Sequence, residues 1–78
     1  MTKLYDLFRV DGYLSPCGTN RKGSTPKDAL MRMINGEVHD FTRSGWRFRD
    51  TSTGKLYTVY MREADGAEFI AVFKGAAK

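Results

Sequence analysis

The fold is decided by residues 45–74, which read GWRFRD TSTG KLYTVYMR EADG AEFIAVFK. This stretch contains three runs rich in β-branched and aromatic residues, separated by two clusters of turn-forming residues at positions 51–54 and 63–66. Strand-forming runs divided by short turn clusters are typical of an antiparallel meander. The C-terminal part of the chain is therefore predicted to form three consecutive antiparallel strands.

The two turns predict how these strands pair. The Asp-Gly pair at residues 65–66 favours a two-residue hairpin turn, whose positions both need a positive φ angle, and this turn would place Met61 opposite Ile70. A pair between Asp50 and Lys55 would close the other turn. Successive side chains of a strand point to opposite faces, so the pairing also sorts residues by face. The face that we expect to form the core carries Trp46, Phe48, Tyr57, Val59, Met61, Ile70 and Val72.

The opposite face of the meander combines arginines with aromatic residues. A sheet face in contact with solvent is normally mostly polar, so this mixture predicts a binding surface exposed to solvent. Two other interpretations remain open: another segment or a second chain covers this face, or Phe69 and Phe73 belong to the core in a different register. A register shift of one residue would exchange the two faces. This opposite face carries Arg47, Arg49, Leu56, Thr58, Tyr60, Arg62, Phe69, Ala71 and Phe73.

The size and composition of the chain indicate one small folded domain. With 78 residues the chain can bury only a small core, so every buried aromatic side chain matters. Hydrophobic residues make up 41% of the chain, which favours a folded domain over a disordered chain. We expect a single domain over residues 1–78, with residues 75–78 frayed. The net charge of +4 favours anionic partners, such as nucleic acid, an acidic protein surface or a membrane surface.

The sequence favours a cytoplasmic protein. A single cysteine cannot form an internal disulfide and is typical of a reducing compartment. No apolar run approaches the roughly 20 residues that a membrane-spanning helix needs. The first residues lack the basic and apolar segments of a secretion signal. We therefore expect no membrane partner.

The N-terminal half is predicted to begin with a strand and a loop. Residues 3–10 carry apolar side chains on both faces, as expected of a central strand. Residues 13–25 are dense in turn-forming residues and are predicted to form a loop. The basic tip of this loop, Arg21 and Lys22, is either a solubilising feature or a contact for phosphate or for an acidic surface.

A short helix is predicted to follow the loop. It is expected to begin at Pro26, to be capped by Ser24 or Thr25, and to end at the Asn-Gly pair of residues 35–36. Its apolar stripe must pack on the sheet, because so short a helix is not stable alone. The connection after the helix is predicted to place Phe41 beneath it. The stripe consists of Pro26, Ala29, Leu30, Met33 and Ile34.

No catalytic or metal-binding constellation is visible in the sequence. Cys17 and His39 are the only residues of their types, so a Cys/His metal site is not expected. The carboxylates are scattered singly, and no glycine-rich phosphate loop occurs. We therefore expect a non-enzymatic protein that uses no cofactor and no metal ion.

The predicted fold is α+β in the order β-α-β-β-β, with one short helix packed on an antiparallel sheet. Guanidinium groups can contact phosphate or carboxylate groups, and aromatic rings can stack bases or anchor a protein interface. The expected partner is the acidic surface of a protein complex, or nucleic acid, and the protein itself is expected to be a monomer or a small homo-oligomer. The candidate binding residues are Arg21, Lys22, Arg43, Arg47, Arg49, Tyr60, Arg62 and Phe69.

One strand, one short helix and a three-strand meander in fewer than a hundred residues resemble the small phage-encoded inhibitors of host machinery, which include the anti-CRISPR proteins. The resemblance concerns the architecture of nearly the whole chain. No residue motif carries it, so it transfers no functional residue. It implies a stoichiometric inhibitor in the host cytoplasm that docks on a nucleic-acid-handling complex and blocks the access of nucleic acid. Direct binding of single-stranded nucleic acid by the same face is the alternative, and a purely structural small subunit is a third possibility.

Overall fold

A computed structural model describes residues 2–34 and 36–76 of the chain. The elements in this part are β1 (Lys3–Val10), β2 (Leu14–Gly23), α1 (Pro26–Met31), β3 (Phe41–Arg49), β4 (Leu56–Arg62) and β5 (Glu68–Ala76). The five strands form one antiparallel sheet in the order β2-β1-β5-β4-β3, so that β2 and β3 are its edges. The architecture is mostly antiparallel sheet with one short helix packed on it, and the predicted α+β class holds in this broad sense.

The segment predicted to be a loop is in fact the edge strand β2. It pairs with β1 along its length, and the register is irregular on both sides of Leu7. The turn-forming residues are accommodated at these irregularities. Asn20 adopts a positive φ of 52°, and its N–H donates to the Asp6 carboxylate at 3.0 Å. The order of elements is therefore β-β-α-β-β-β, with one strand more than predicted.

The strand prediction for residues 3–10 is confirmed. β1 lies between β2 and β5, which explains why both of its faces carry apolar residues. Its side chains Tyr5 and Leu7 are buried against the helix side of the sheet. Burial raises the pKa of the Tyr5 hydroxyl above its ordinary value.

The helix begins as predicted but ends earlier. Thr25 is the N-cap: its hydroxyl accepts the N–H of Asp28 at 3.1 Å, and Pro26 occupies the first turn, where its missing N–H costs nothing. The helix ends at Met31, whereas the sequence predicts an end at residues 35–36. Asn35 lies outside the described residues. Within the predicted stripe, Met33 is buried, whereas Ile34 is exposed.

The helix packs on the face that the sequence predicts to be exposed. Below it lie Phe69 and Tyr60, whereas Val59 and Ile70 are fully buried on the helix-free face. The expected assignment of the core face is therefore only partly correct. Val59 and Ile70 on the expected face are buried, but the helix packs on the other face, because both faces of the meander are apolar enough to accept a helix and alternation alone does not choose between them. The helix-side core consists of Tyr5, Leu7, Ala29, Leu30, Met33, Phe41, Tyr60, Ala67, Phe69 and Ala71.

One of the two predicted turns is confirmed and the other is longer. The N–H of Asp50 donates to the carbonyl of Lys55 at 2.8 Å. Between β4 and β5, however, residues 63–66 form the loop, and Met61 pairs with Glu68 rather than with Ile70. This is a shift of two residues, which leaves every side chain on its predicted face.

The C-terminal residues of the described chain belong to the sheet. Gly75 and Ala76 belong to β5 and pair with Leu4 and Lys3, so the predicted fraying does not begin at residue 75. Residues 77 and 78 lie outside the described residues.

Among residues 2–34 and 36–76, no helix has the length and apolar character needed to cross a bilayer.

Candidate functional site

The predicted binding residues do not form one surface. Arg21 and Lys22 lie on β2, at one edge of the sheet, and Arg47 lies on β3, at the other. Three strands separate these edges, which at about 4.8 Å per strand spacing places them roughly 19 Å apart. The basic tip therefore belongs to a different part of the molecule from the arginines of the meander.

Tyr60 and Phe69 are buried, contrary to the expectation that they face solvent. Phe69 is 2% exposed and packs edge-on against Phe41, with 5.6 Å between the ring centroids. Tyr60 pairs with Phe69 across β4 and β5 and belongs to the same core. These rings hold the helix to the sheet and are too deeply buried to stack against the bases of a nucleic acid.

Arg62 is engaged within the protein. Its Nε and Nη2 donate to the two carboxylate oxygens of Asp65 at 2.9 and 2.6 Å, and its guanidinium lies 5.1 Å from the centroid of the Phe69 ring. The hydrogen bonds from Arg62 hold the pKa of Asp65 well below its ordinary value. Arg62 therefore closes the β4–β5 loop and covers the core, which is a structural role.

The remaining three arginines form a surface that we call the cationic edge: Arg43, Arg47 and Arg49. All three are exposed on β3, opposite Tyr60, Thr58 and Leu56 of β4. They share the helix side of the sheet, because β3 has two more residues than β4 between the Arg43 and Arg47 pairs, and an even number preserves the face. None of the three makes an ion pair or a side-chain hydrogen bond with another residue in the part of the chain that the structure describes.

The extra residues of β3 form a bulge that opens a small cavity within the cationic edge. Gly45 in the bulge has φ +89°, a backbone conformation that a residue with a Cβ rarely adopts. The cavity, which we call the bulge pocket, has a volume of about 220 Å³. It is lined by Arg43, Gly45, Trp46, Arg47 and Thr58.

The bulge is fastened to the rest of the sheet by Trp46. The indole N–H donates to the carboxylate of Glu68 on β5 at 2.7 Å, so the side chain spans β4 on the helix-free face. Trp46 remains 42% exposed. This contact fixes the backbone around Gly45 from the face opposite to the cationic edge.

A second cavity lies beside the first, where β4 and β5 separate. Within these described strands the pairing is limited to Tyr60–Phe69 and Met61–Glu68. Beyond these pairs lies a cavity of about 260 Å³, the apolar groove, in which Leu56 and Phe73 are 47% and 58% exposed. The groove is lined by Pro26, Leu56, Tyr57, Thr58, Tyr60, Ala71 and Phe73.

No protein-family model, curated protein or solved structure matches the chain. The site is therefore interpreted from its own chemistry. Guanidinium groups, a hydroxyl and an apolar groove are binding features, and they include no nucleophile paired with a base. In the part of the chain described here, His, Cys, Asp and Glu form no cluster that could hold a metal ion. Cys17 lies elsewhere, on β2, where burial raises the pKa of its thiol and disfavours the reactive thiolate.

The sequence identifies the cationic edge but misses the two cavities beside it. An isolated glycine within a strand pattern signals a bulge, and Gly45 is such a signal. Leu56 and Phe73 are on the predicted binding face, but their exposure depends on the separation of β4 from β5, which no local pattern indicates.

Proposed function

We propose that this protein is a non-enzymatic binding protein that docks through its cationic edge on an acidic protein surface. The observation that carries the proposal is three exposed arginines on one face of an edge strand without an acidic partner among the described residues. Exposed charges of one sign attract a partner of the opposite sign and raise its rate of association. Arginine is also the cation most enriched in protein interfaces, because its planar guanidinium binds a carboxylate through two hydrogen bonds.

A protein partner is favoured over single-stranded nucleic acid, because the aromatic rings that were expected to stack bases are buried. A single-strand binder needs several exposed rings on which successive bases stack. Tyr60 and Phe69 are buried, and Trp46 reaches across the other face, which leaves Phe73 as the exposed ring in the groove beside the cationic edge. The neighbouring exposed side chain is the aliphatic Leu56, which suits a protein side chain better than a base.

The resemblance to small phage inhibitors supplies the target class of the proposal, a host complex that handles nucleic acid. The nucleic-acid channels of such complexes are themselves positively charged, so a cationic edge is repelled from the channel itself. We place the docking site on an acidic surface next to the channel. The inhibitor then blocks the access of nucleic acid by its bulk, and no chemical step is involved.

The proposal is tested by affinity capture from a bacterial lysate with the wild-type chain and with the variant Arg43→Glu/Arg47→Glu/Arg49→Glu. We expect the wild-type chain to capture a protein in stoichiometric amount and the triple variant to lose it, because three carboxylates repel an acidic surface. The stability of the variant should change little, since the replaced side chains are exposed.

The matched control is Lys22→Glu, which reverses a charge on the opposite edge of the sheet. Capture by this variant should equal that of the wild-type chain. Equal capture by the triple variant would contradict the proposal. Binding of a labelled single-stranded oligonucleotide, with an affinity that falls steeply as salt rises and is lost in the triple variant, would support the alternative of direct nucleic-acid binding.

A further inference from the structure

We infer that the bulge pocket and the apolar groove together bind an extended peptide segment of the partner, in which an acidic residue and an apolar residue are two positions apart. The inference rests on the proposed function and specifies the ligand of the same surface. The two cavities are adjacent, because Thr58 lines both of them. A ligand that crosses β4 over Thr58 can therefore occupy both.

The bulge pocket has the composition of a carboxylate site. Arg43 and Arg47 supply two guanidinium groups to its lining, and the Thr58 hydroxyl is a further donor. A carboxylate bound here would receive charge-assisted hydrogen bonds from groups that have no anionic partner among the described residues.

The apolar groove has the composition of a site for one apolar side chain. Leu56 on β4 and Phe73 on β5 line it from two different strands, and the small side chain of Ala71 on β5 fills little of the groove. Filling this space removes apolar surface of both molecules from water, which favours binding. The groove therefore adds a selectivity for shape that the cationic edge alone does not have.

The spacing of the two cavities sets the spacing of the two side chains. The bulge pocket lies at β3 and β4 and the groove at β4 and β5, so their centres are separated by one to two strand spacings, about 5 to 10 Å. Side chains two positions apart on one face of an extended peptide are about 7 Å apart. A peptide that runs across β4 in an extended form can therefore place one side chain in each cavity.

The inference is tested by selecting peptides from a random phage-displayed library on the full-length protein at low salt. We expect the selected peptides to share Asp or Glu two positions from a large apolar residue. The affinity of a labelled selected peptide is then measured by fluorescence polarisation. Arg47→Glu should weaken it about tenfold or more through loss of charge-assisted hydrogen bonds, and Phe73→Ala about tenfold through loss of apolar burial.

Two variants make the result interpretable. Phe73→Ala also removes a ring contact with Tyr5 and could weaken binding by disturbing the fold. Leu56→Ser removes the other wall of the groove without touching that contact, and it should weaken binding as well. Lys22→Glu should bind the peptide as the wild-type chain does, because Lys22 lies at the opposite edge. Circular dichroism and the urea midpoint of each variant report whether it is folded.

The possible results separate the inference from the proposed function. Selected peptides that are merely acidic, and whose binding is insensitive to Phe73→Ala and Leu56→Ser, overturn the inference and leave the proposed function intact. A selection that enriches no peptide overturns the inference as well. Capture of a protein partner that is unchanged by the triple arginine variant overturns the proposed function itself.

Discussion

Phe69 and Phe73 lie on the same strand and on the same face of the sheet, yet one is 2% exposed and the other 58%. Phe69 lies beneath the helix and contacts Phe41, whereas Phe73 stands at the side of the apolar groove with Tyr5 as its aromatic neighbour. The two rings are chemically identical and lie on the same face of the same strand. The difference between them is set by what covers the strand.

The length of the helix explains why the cover is incomplete. α1 has 6 residues and is therefore about 9 Å long, while the molecule extends over 30 × 29 Å in its two larger dimensions. The helix packs mainly against β5 and β2. Beyond Phe41 and Tyr60, the β3–β4 ribbon consequently keeps the same face open, and the arginines of β3 and the groove lie there. One sheet face thus serves as core at one end and as candidate binding surface at the other.

The largest effect that tests this comparison is the loss of the buried ring. Phe69→Ala should lower the free energy of unfolding by about 3–5 kcal/mol, because it leaves a cavity beneath the helix and removes the contacts with Phe41 and Arg62. For a chain of this size, that is a large part of the total stability. The measurement is urea unfolding followed by circular dichroism.

Phe73→Ala is the matched control, with the same substitution on the same strand. It should cost less than about 1.5 kcal/mol, since the ring is largely exposed and its main contact is the edge-on pair with Tyr5 at 5.9 Å. Equal losses of unfolding free energy in the two variants would show that the ring at the open end of this face is as important for stability as the ring beneath the helix.

A smaller effect should follow from displacing the helix. A Cβ on Gly23 would lie 2.6 Å from the backbone nitrogen of Ala29, and backbone cannot give way as a side chain can. Gly23→Ala should therefore cost roughly 1–3 kcal/mol, comparable to overpacking a core. Hydrogen exchange at Leu7 and Phe69 should become faster, because the helix no longer seats closely on β2.

Gly18→Ala tests whether this cost is specific to the helix contact. Gly18 lies on the same strand, and its added Cβ would meet the flexible side chain of Arg21 at 3.1 Å. The cost should remain below about 1 kcal/mol. If Gly18→Ala proves as costly as Gly23→Ala, the strand rather than the helix is sensitive to added volume.

The smallest effect is a dependence of the folding stability on pH through Asp28 at the start of the helix. The Asp28 carboxylate accepts the N–H of Ser24 at 2.9 Å and the Nε of Arg32 at 3.1 Å, and these bonds lower its pKa, the Ser24 bond most. Since the pKa is lower in the folded state, the stabilisation is complete above the unfolded pKa of about 4 and is lost as pH falls through the folded value. The contribution should be less than about 1 kcal/mol at neutral pH.

The measurement compares the melting temperature of the wild-type chain with that of Asp28→Asn at neutral pH and at several values below about pH 4. The difference should be largest at neutral pH and shrink in acid. Other carboxylates titrate in both proteins, and the comparison subtracts them. A difference that does not change with pH would contradict this role for the Asp28 charge.

Local chemistry made several elements predictable from the sequence. Thr25 and Pro26 mark the start of the helix through a hydroxyl acceptor and a fixed φ. The pair of Asp50 and Lys55 was predicted from the turn cluster between them, and the alternation of side chains gave the correct grouping by face. These features depend on neighbours in the chain.

Features that depend on distant contacts were not predictable in this way. The glycines and Asn20 of β2 favour turns and so predict a loop, whereas pairing with β1 keeps most of this segment extended and the bond from Asn20 to Asp6 holds the one left-handed residue in place. Which face receives the helix, and where β4 and β5 part, also depend on packing across the sheet. For the site, the arginines of β3 were identified, but the burial of Tyr60 and the distance to Arg21 required the strand order.

The position of β3 at the border of the sheet has a consequence for the solution behaviour of the protein. An unpaired border strand can join the same strand of another copy and begin a growing aggregate, and natural proteins oppose this with charged side chains on that strand. Arg43, Arg47 and Arg49 place such charges along β3 and keep copies apart by mutual repulsion. Replacing all three by neutral residues should therefore lower solubility at high protein concentration, whereas glutamate at the same positions preserves the repulsion.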